Sequence, residues 1–183
     1  MSISNWMSWE AGVDLAALTE AGLSMPNVIV HVARMVHTPV GSGPAGMILF
    51  APEAGKPPMV MGFISTNRKV AEYFGPKIFA GTPFEKAPVL DATIDIAVSE
   101  QFVSAQVRVG GHVFETRLGK LGAMEVIHRT PAAMTPFVQQ GVEAAAGSAS
   151  LTVDGKEVKL ILPPVGLGGG SAAVWAPSGV YAR

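Results

Sequence analysis

The stretch Pro88-Val89-Leu90-Asp91-Ala92-Thr93-Ile94-Asp95-Ile96-Ala97-Val98 alternates residue by residue. Leu90, Ala92, Ile94, Ile96 and Val98 fall on one side, and Asp91, Thr93 and Asp95 on the other. A period of two is that of an extended chain with one face in a core and one in water. Residues 102–109 repeat the pattern, with Val103, Ala105, Val107 and Val109 set against Ser104, Gln106 and Arg108. Gly110-Gly111 then supplies the positive backbone angles of a two-residue hairpin turn, and residues 112–118 return. The three segments predict an antiparallel meander with Leu90, Ile94, Ile96, Val107 and Phe114 in the core.

Outward from this meander the same signal recurs. Residues 28–37 are rich in β-branched side chains, and 47–51 and 58–64 are apolar runs joined by the turn Pro52 to Pro57. Asp154-Gly155 separates two further extended runs, 151–153 and 156–162, and 172–176 reads as a last strand. Gly41, Gly43, Pro44 and Gly46 mark 39–46 as a loop. Three segments read as helices. Residues 10–21 place Ala11, Leu15 and Leu18 at helical spacing, ending at Gly22. Thr66 or Asn67 caps a short helix stopped by Gly75-Pro76, and residues 137–146 form an amphipathic segment ending at Gly147. The expected architecture is mainly β: one domain over 1–183, an antiparallel barrel or sandwich with a cavity and two or three short peripheral helices. A helical arm over 1–26 leads into a β-rich body over 27–183. Trp6 and Trp9 pack that arm onto the body, with an exposed dimer contact as the alternative.

Composition narrows the function classes. The chain has 183 residues, 49% hydrophobic and 15% charged, with 13 Lys+Arg against 14 Asp+Glu. Such apolar content with a net charge of −1 excludes disorder. No basic surplus exists to neutralise phosphates, so a nucleic-acid partner is not expected. With no Cys, thiol catalysis, disulfides and cysteine-ligated zinc are excluded. No apolar run approaches the ~18 residues of a membrane span. No Lys or Arg precedes Arg34, so a basic signal-peptide region is not seen, and the cytoplasm is the expected location. His31, His37, His112 and His128 lack any metal-binding spacing, so no metal is expected and structural or solvent-facing roles are assigned to them. His31 and His37 would share a face of one strand, about 20 Å apart at ~3.3 Å per residue. The glycines of 166–170 lack the Lys-Ser/Thr end of a phosphate loop and read as a turn. No cofactor motif is present.

The segment Glu72-Tyr73-Phe74-Gly75-Pro76-Lys77 carries the sharpest chemistry. A lysine held after a rigid turn, with Ile78, Phe79 and Ala80 following, would lose solvation. A neutral amine so produced attacks carbonyls to form an imine. Arg68, Lys69 and Lys86 are nearby cations that would help, whereas Glu72 would oppose. The bland alternative is a solvated lysine after a turn.

Over residues 46–118 the order of elements, with Glu72, Gly75, Pro76 and Lys77 at its centre, resembles the acetoacetate decarboxylase-like family. That resemblance implies a β-barrel-like fold and a Schiff-base lysine. Ile78 stands where the family has a second lysine, and Val70-Ala71 where it has Gly-Arg. The first expectation is therefore a small-molecule enzyme acting on a small oxo acid. Lys77 is its nucleophile, Glu72 an acid/base or orienting carboxylate, Arg68 a carboxylate clamp, and Phe79 and Phe84 contacts for the substrate. The alternative is a non-catalytic barrel binding a small apolar ligand, to which nine Met lend an adaptable lining. A third reading is an assembly protein using the Gly/Pro-rich tail. Homo-oligomerisation is left open by all three.

Overall fold

The computed structural model describes residues 5–132 and 135–183. Residues 1–4, the start of the expected helical arm, lie outside the described residues. The fold is mainly β. Among the described residues the strands are β1 (Trp6–Ala17), β2 (Val28–Thr38), β3 (Gly41–Phe50), β4 (Val60–Ser65), β5 (Val89–Val98), β6 (Phe102–Val109), β7 (His112–Leu121), β8 (Glu125–Arg129), β9 (Val138–Val153), β10 (Lys156–Val158) and β11 (Ala173–Ala182). One six-residue helix, α1 (Arg68–Tyr73), runs into a π-helical turn over Phe74–Ile78. It replaces the two or three helices expected, and no helix among the described residues is long and apolar enough to cross a membrane.

Strand pairing closes on itself. The ladder runs from β1 through β7 in chain order; β7 pairs with β9, β9 with β11, and β11 with β1. All these pairs are antiparallel except β4–β5, which is parallel and is bridged by α1. A parallel pair needs a crossover, which is the role of the 66–88 connection. β9 is the seam. One edge pairs with β7 and then β8, the other with β10 and β11. Closure removes the open edges that a sheet of this size would otherwise present.

The meander of β5, β6 and β7 has the expected register, with Ile94 opposite Val107 and Val107 opposite Phe114. Ile94, Val107 and Phe114 are buried, and Leu90 and Ile96 pack against them half-buried. Both two-residue turns have positive φ at both positions: 58° and 83° at Gly110 and Gly111, 53° and 76° at Asp154 and Gly155.

Three sequence expectations are corrected. Residues 10–21 are not helical: β1 occupies Trp6–Ala17, paired on both edges. Ala11, Val13 and Leu15 all enter the same core, because a four-residue spacing is also two strand periods. Residues 138–146 of the expected 137–146 helix are likewise the first part of β9, where pairing with β8 on one edge and β11 on the other overrides helix propensity. Residues 41–46 belong to β3 rather than a loop. Gly46 allows close approach, since a Cβ there would meet the His31 carbonyl oxygen. Pro44 falls at the bulge where pairing shifts between Ala33/Ala45 and Val36/Gly43, so its missing N–H leaves no ladder gap. That bulge also changes the face on which residues lie. His31 shares a face with Ile29, Ala33 and Val36, which places His37 on the opposite one.

Two hydrophobic cores result. The first draws on β1–β7, β9 and β11 and fills the closed interior. The second lies outside the barrel wall, where β1–β4 are covered by α1 and the π turn. Ile29, Met47 and Phe63 pack there against Val70, Phe74 and Ile78.

Candidate functional site

The cavity lies in the second core and not in the barrel interior. It holds about 130 Å3 between the outer face of the sheet and two covers, the Phe74–Phe84 segment and the 167–171 loop. The apolar wall is built around stacked rings. Phe63 stacks on Phe79 at 5.3 Å and meets Phe74 edge-on at 5.6 Å, and Phe79 meets Phe84 at 6.2 Å. Opposite, Trp9 lies 5.2 Å from Tyr181.

Two local irregularities put that second pair in place. Ala11 takes φ 54°, which breaks the alternation of β1. Trp9 thereby stays on the same face as Gly12 and Asp14, although Val13 and Leu15 point into the barrel. In β11 the register slips between Trp175 and Ser178, around Pro177, so Val174 and Tyr181 both reach the cavity. Gly12 and Gly179 form the bed for the indole: a Cβ at Gly12 would sit 3.1 Å from Trp9 Cδ1, and one at Gly179 would overlap the Trp9 ring.

The polar side of the cavity consists of Asp14, His31, Gln139, Glu143, Ser171 and the Tyr181 hydroxyl. Arg129 braces it from behind. Its guanidinium donates to both Glu143 oxygens, Nη1 to Oε1 at 3.0 Å and Nη2 to Oε2 at 2.9 Å, and Nη1 also donates to Gln139 Oε1 at 3.2 Å. The pair is largely enclosed, 21% of Arg129 and 13% of Glu143 being exposed. The bidentate hydrogen bond raises the pKa of Arg129 and so holds its proton more firmly. Gly170 lies against the pair, leaving no room for a Cβ beside Arg129 Nη2. A second hollow of about 180 Å3, lined by Gly122, Glu125, Ile127 and Arg129, shares Glu143, Gly170 and Ser171 with the first.

Asp14 faces His31 across β1 and β2, its Oδ1 4.0 Å from Nδ1. Its side chain is 36% accessible, but the accessible part faces the cavity. Burial pushes its carboxyl above the usual carboxylate range; His31 pulls it back, Glu143 pushes it further and Arg129 pulls again. Burial, followed by the charges of Asp14 and Glu143, pushes the Tyr181 phenol upward, so it stays a hydrogen-bond donor. An acid with a raised pKa beside an imidazole is an arrangement able to give and take protons.

The sequence-predicted residues divide around this cavity. Phe79 and Phe84 line it. Lys77, Glu72 and Arg68 do not. Lys77 is exposed in the π turn, whose buried positions are Phe74, Gly75 and Ile78. The expected desolvation of Lys77 is therefore absent: Ile78 and Phe79 turn inward, while Lys77 and Ala80 stay exposed. Arg68 Nε donates to Glu72 Oε1 at 2.9 Å, and its Nη1 lies 3.5 Å from Asp91, all on the outer surface. Asn67 precedes α1, but its side chain donates to the Ser42 carbonyl instead of capping the helix. Asp14, His31, Gln139 and Glu143 were missed. A charged residue inside the apolar runs Gly12-Val13-Asp14-Leu15 and Val30-His31-Val32 was the available signal. Among the described residues no group of three His, Asp or Glu side chains is arranged to hold a metal ion.

No family model and no curated protein matches the chain. Among solved structures, the chain is similar to acetoacetate decarboxylase from Legionella pneumophila subsp. pneumophila str. Philadelphia 1, with a TM-score of 0.38. The two chains are 12% identical, over 99% of this chain and 86% of that one.

Proposed function

We propose that this chain binds one compact small molecule in the cavity between its barrel wall and the α1 crossover. The carrying observation is the lining itself: an aromatic wall facing a few convergent polar groups, with Asp14 and His31 among them. The size supports a ligand of about one ring, since a dry engineered cavity of roughly 150 Å3 takes benzene. The apolar body would rest on Phe63, Phe79 and Phe84, and the polar end would meet Asp14, His31 and Gln139. Native mass spectrometry of the purified protein, with ligand-observed NMR against toluene, phenol and benzyl alcohol, tests this. The expected result is saturable binding that is lost in Leu167→Trp, which fills the cavity from its loop side. Absence of both a co-purified ligand and any probe binding would sink the reading.

A second reading, an enzyme of small oxo acids, draws support from the proximity of Asp14 to His31, which could serve acid–base chemistry there. Its imine-forming version requires Lys77 to react from an exposed position. Borohydride added with acetoacetate is the direct test. A covalent adduct on Lys77, lost in Lys77→Arg, favours that version, and an unmodified Lys77 rules it out.

A further inference from the structure

We propose that the ligand of this cavity is a compact cyclic or aromatic amine, its ammonium held between the Asp14 carboxylate and the faces of Trp9 and Tyr181. This rests on the binding reading above and specifies the ligand's charge.

Few of the cavity's polar groups are free to meet a ligand. Glu143 and Gln139 are engaged with Arg129 and with each other, Gln139 Nε2 donating to Glu143 Oε1 at 3.4 Å. Asp14 has no hydrogen-bond partner among the described residues, and the 4.0 Å to His31 is beyond hydrogen-bond reach. An ionised carboxylate is an acceptor only, so it calls for a donor from the ligand.

The second consideration is charge. No Lys or Arg lines the cavity among the described residues. The nearest guanidinium, Arg129, is committed to Glu143 by two hydrogen bonds. An anionic ligand would thus bring a further negative charge to Asp14 and Glu143, with only the His31 imidazole, already beside Asp14, to meet it. A neutral ligand would leave Asp14 with the His31 imidazole, beyond hydrogen-bond reach, as its nearest countercharge. A cation would reverse the burial penalty that now raises the Asp14 pKa.

The third is the aromatic surface beside that carboxylate. Trp9 lies on the same sheet face as Gly12 and Asp14, over the Gly12 and Gly179 backbone, with Tyr181 5.2 Å away. Ring faces carry negative quadrupole charge, tryptophan most strongly, and attract ammonium groups. The remaining rings, Phe63, Phe74, Phe79 and Phe84, offer an apolar bed for the ligand's body.

Titration calorimetry with benzylamine, benzyl alcohol and benzoate separates the alternatives, because the three share a ring and differ at the polar end. The expected order is benzylamine tightest by about tenfold or more, benzyl alcohol next and benzoate weakest. In Asp14→Asn the amine should lose its advantage over the alcohol, with circular dichroism verifying the fold. The wild-type order stands as a test by itself should that variant not fold. Benzyl alcohol binding as tightly as benzylamine in the wild type would overturn the amine proposal while leaving the cavity as a binding site. So would an amine preference that survives Asp14→Asn in the folded variant. Failure of all three probes to bind would overturn both.

Discussion

At the scale of single residues, Asp14 carries a charge that burial disfavours. Its folded pKa lies above its ordinary value of 3.8, chiefly through burial. A group whose folded pKa is raised binds protons more tightly in the folded state. Stability is then greatest below the unfolded pKa and falls as pH rises from there through the folded pKa. Asp14→Asn is therefore expected to raise the urea midpoint at pH 8, with the gain shrinking toward pH 4. A midpoint lowered equally at both pH values would show that the carboxylate stabilises the fold. Thr116 offers a separate case inside the barrel. It is 1% exposed, paired with Ala105 and Leu151, and its hydroxyl has no hydrogen-bond partner. Thr116→Val keeps the shape and removes the unsatisfied group, so it should stabilise by about 1 kcal/mol in urea unfolding. A loss of similar size would mean that the hydroxyl is satisfied in solution.

At the scale of elements, the meander of β5–β7 shows how far periodicity reaches. Ile94 lies on the inner face and is 6% exposed, whereas Arg108 points outward and reaches Asp95 at 3.4 Å in a solvent-exposed pair. Ile94→Ala should cost about 2–5 kcal/mol through lost burial and the cavity left behind. Arg108→Ala should change stability by less than about 0.5 kcal/mol. Comparable urea midpoints for the two variants would contradict the assigned faces. β1 behaves differently, because its alternation is broken once. Ala11 at φ 54° lets Trp9 and Asp14 share a face, which no period of two or 3.6 anticipates. Such a backbone angle is unusual for alanine and is maintained by pairing on both edges of the strand. The π turn is a second irregular element. Phe74 and Ile78 anchor it inward, and the Thr135 hydroxyl donates to the Ile78 carbonyl oxygen at 2.6 Å, so Lys77 is carried on the outside.

At the scale of the molecule, closure depends on two distant pairings, β1 with β11 and β7 with β9. β11 joins the seam strand β9 to β1, and it supplies Trp175 to the interior and Tyr181 to the cavity. A chain ending at Gly170 would leave one edge of β1 and one edge of the first part of β9 without a partner strand. It is expected to lose its cooperative urea transition and near-ultraviolet circular dichroism; a retained sharp transition would show that the barrel does not need closure. By itself the sequence determined the mainly β character, the β5–β7 meander and its core, and both two-residue turns, because alternation and turn chemistry are local. It also singled out Phe79 and Phe84, though as part of a lysine-centred constellation. Only the tertiary structure decided that residues 10–17 and 138–146 are strands, since pairing on both edges outweighs their helical spacing. Only it brought Asp14, His31, Gln139, Glu143 and Tyr181, from four strands, to one cavity. That convergence depends on register, on the bulges in β2 and β11 and on the break at Ala11, and each changes the face of every residue beyond it.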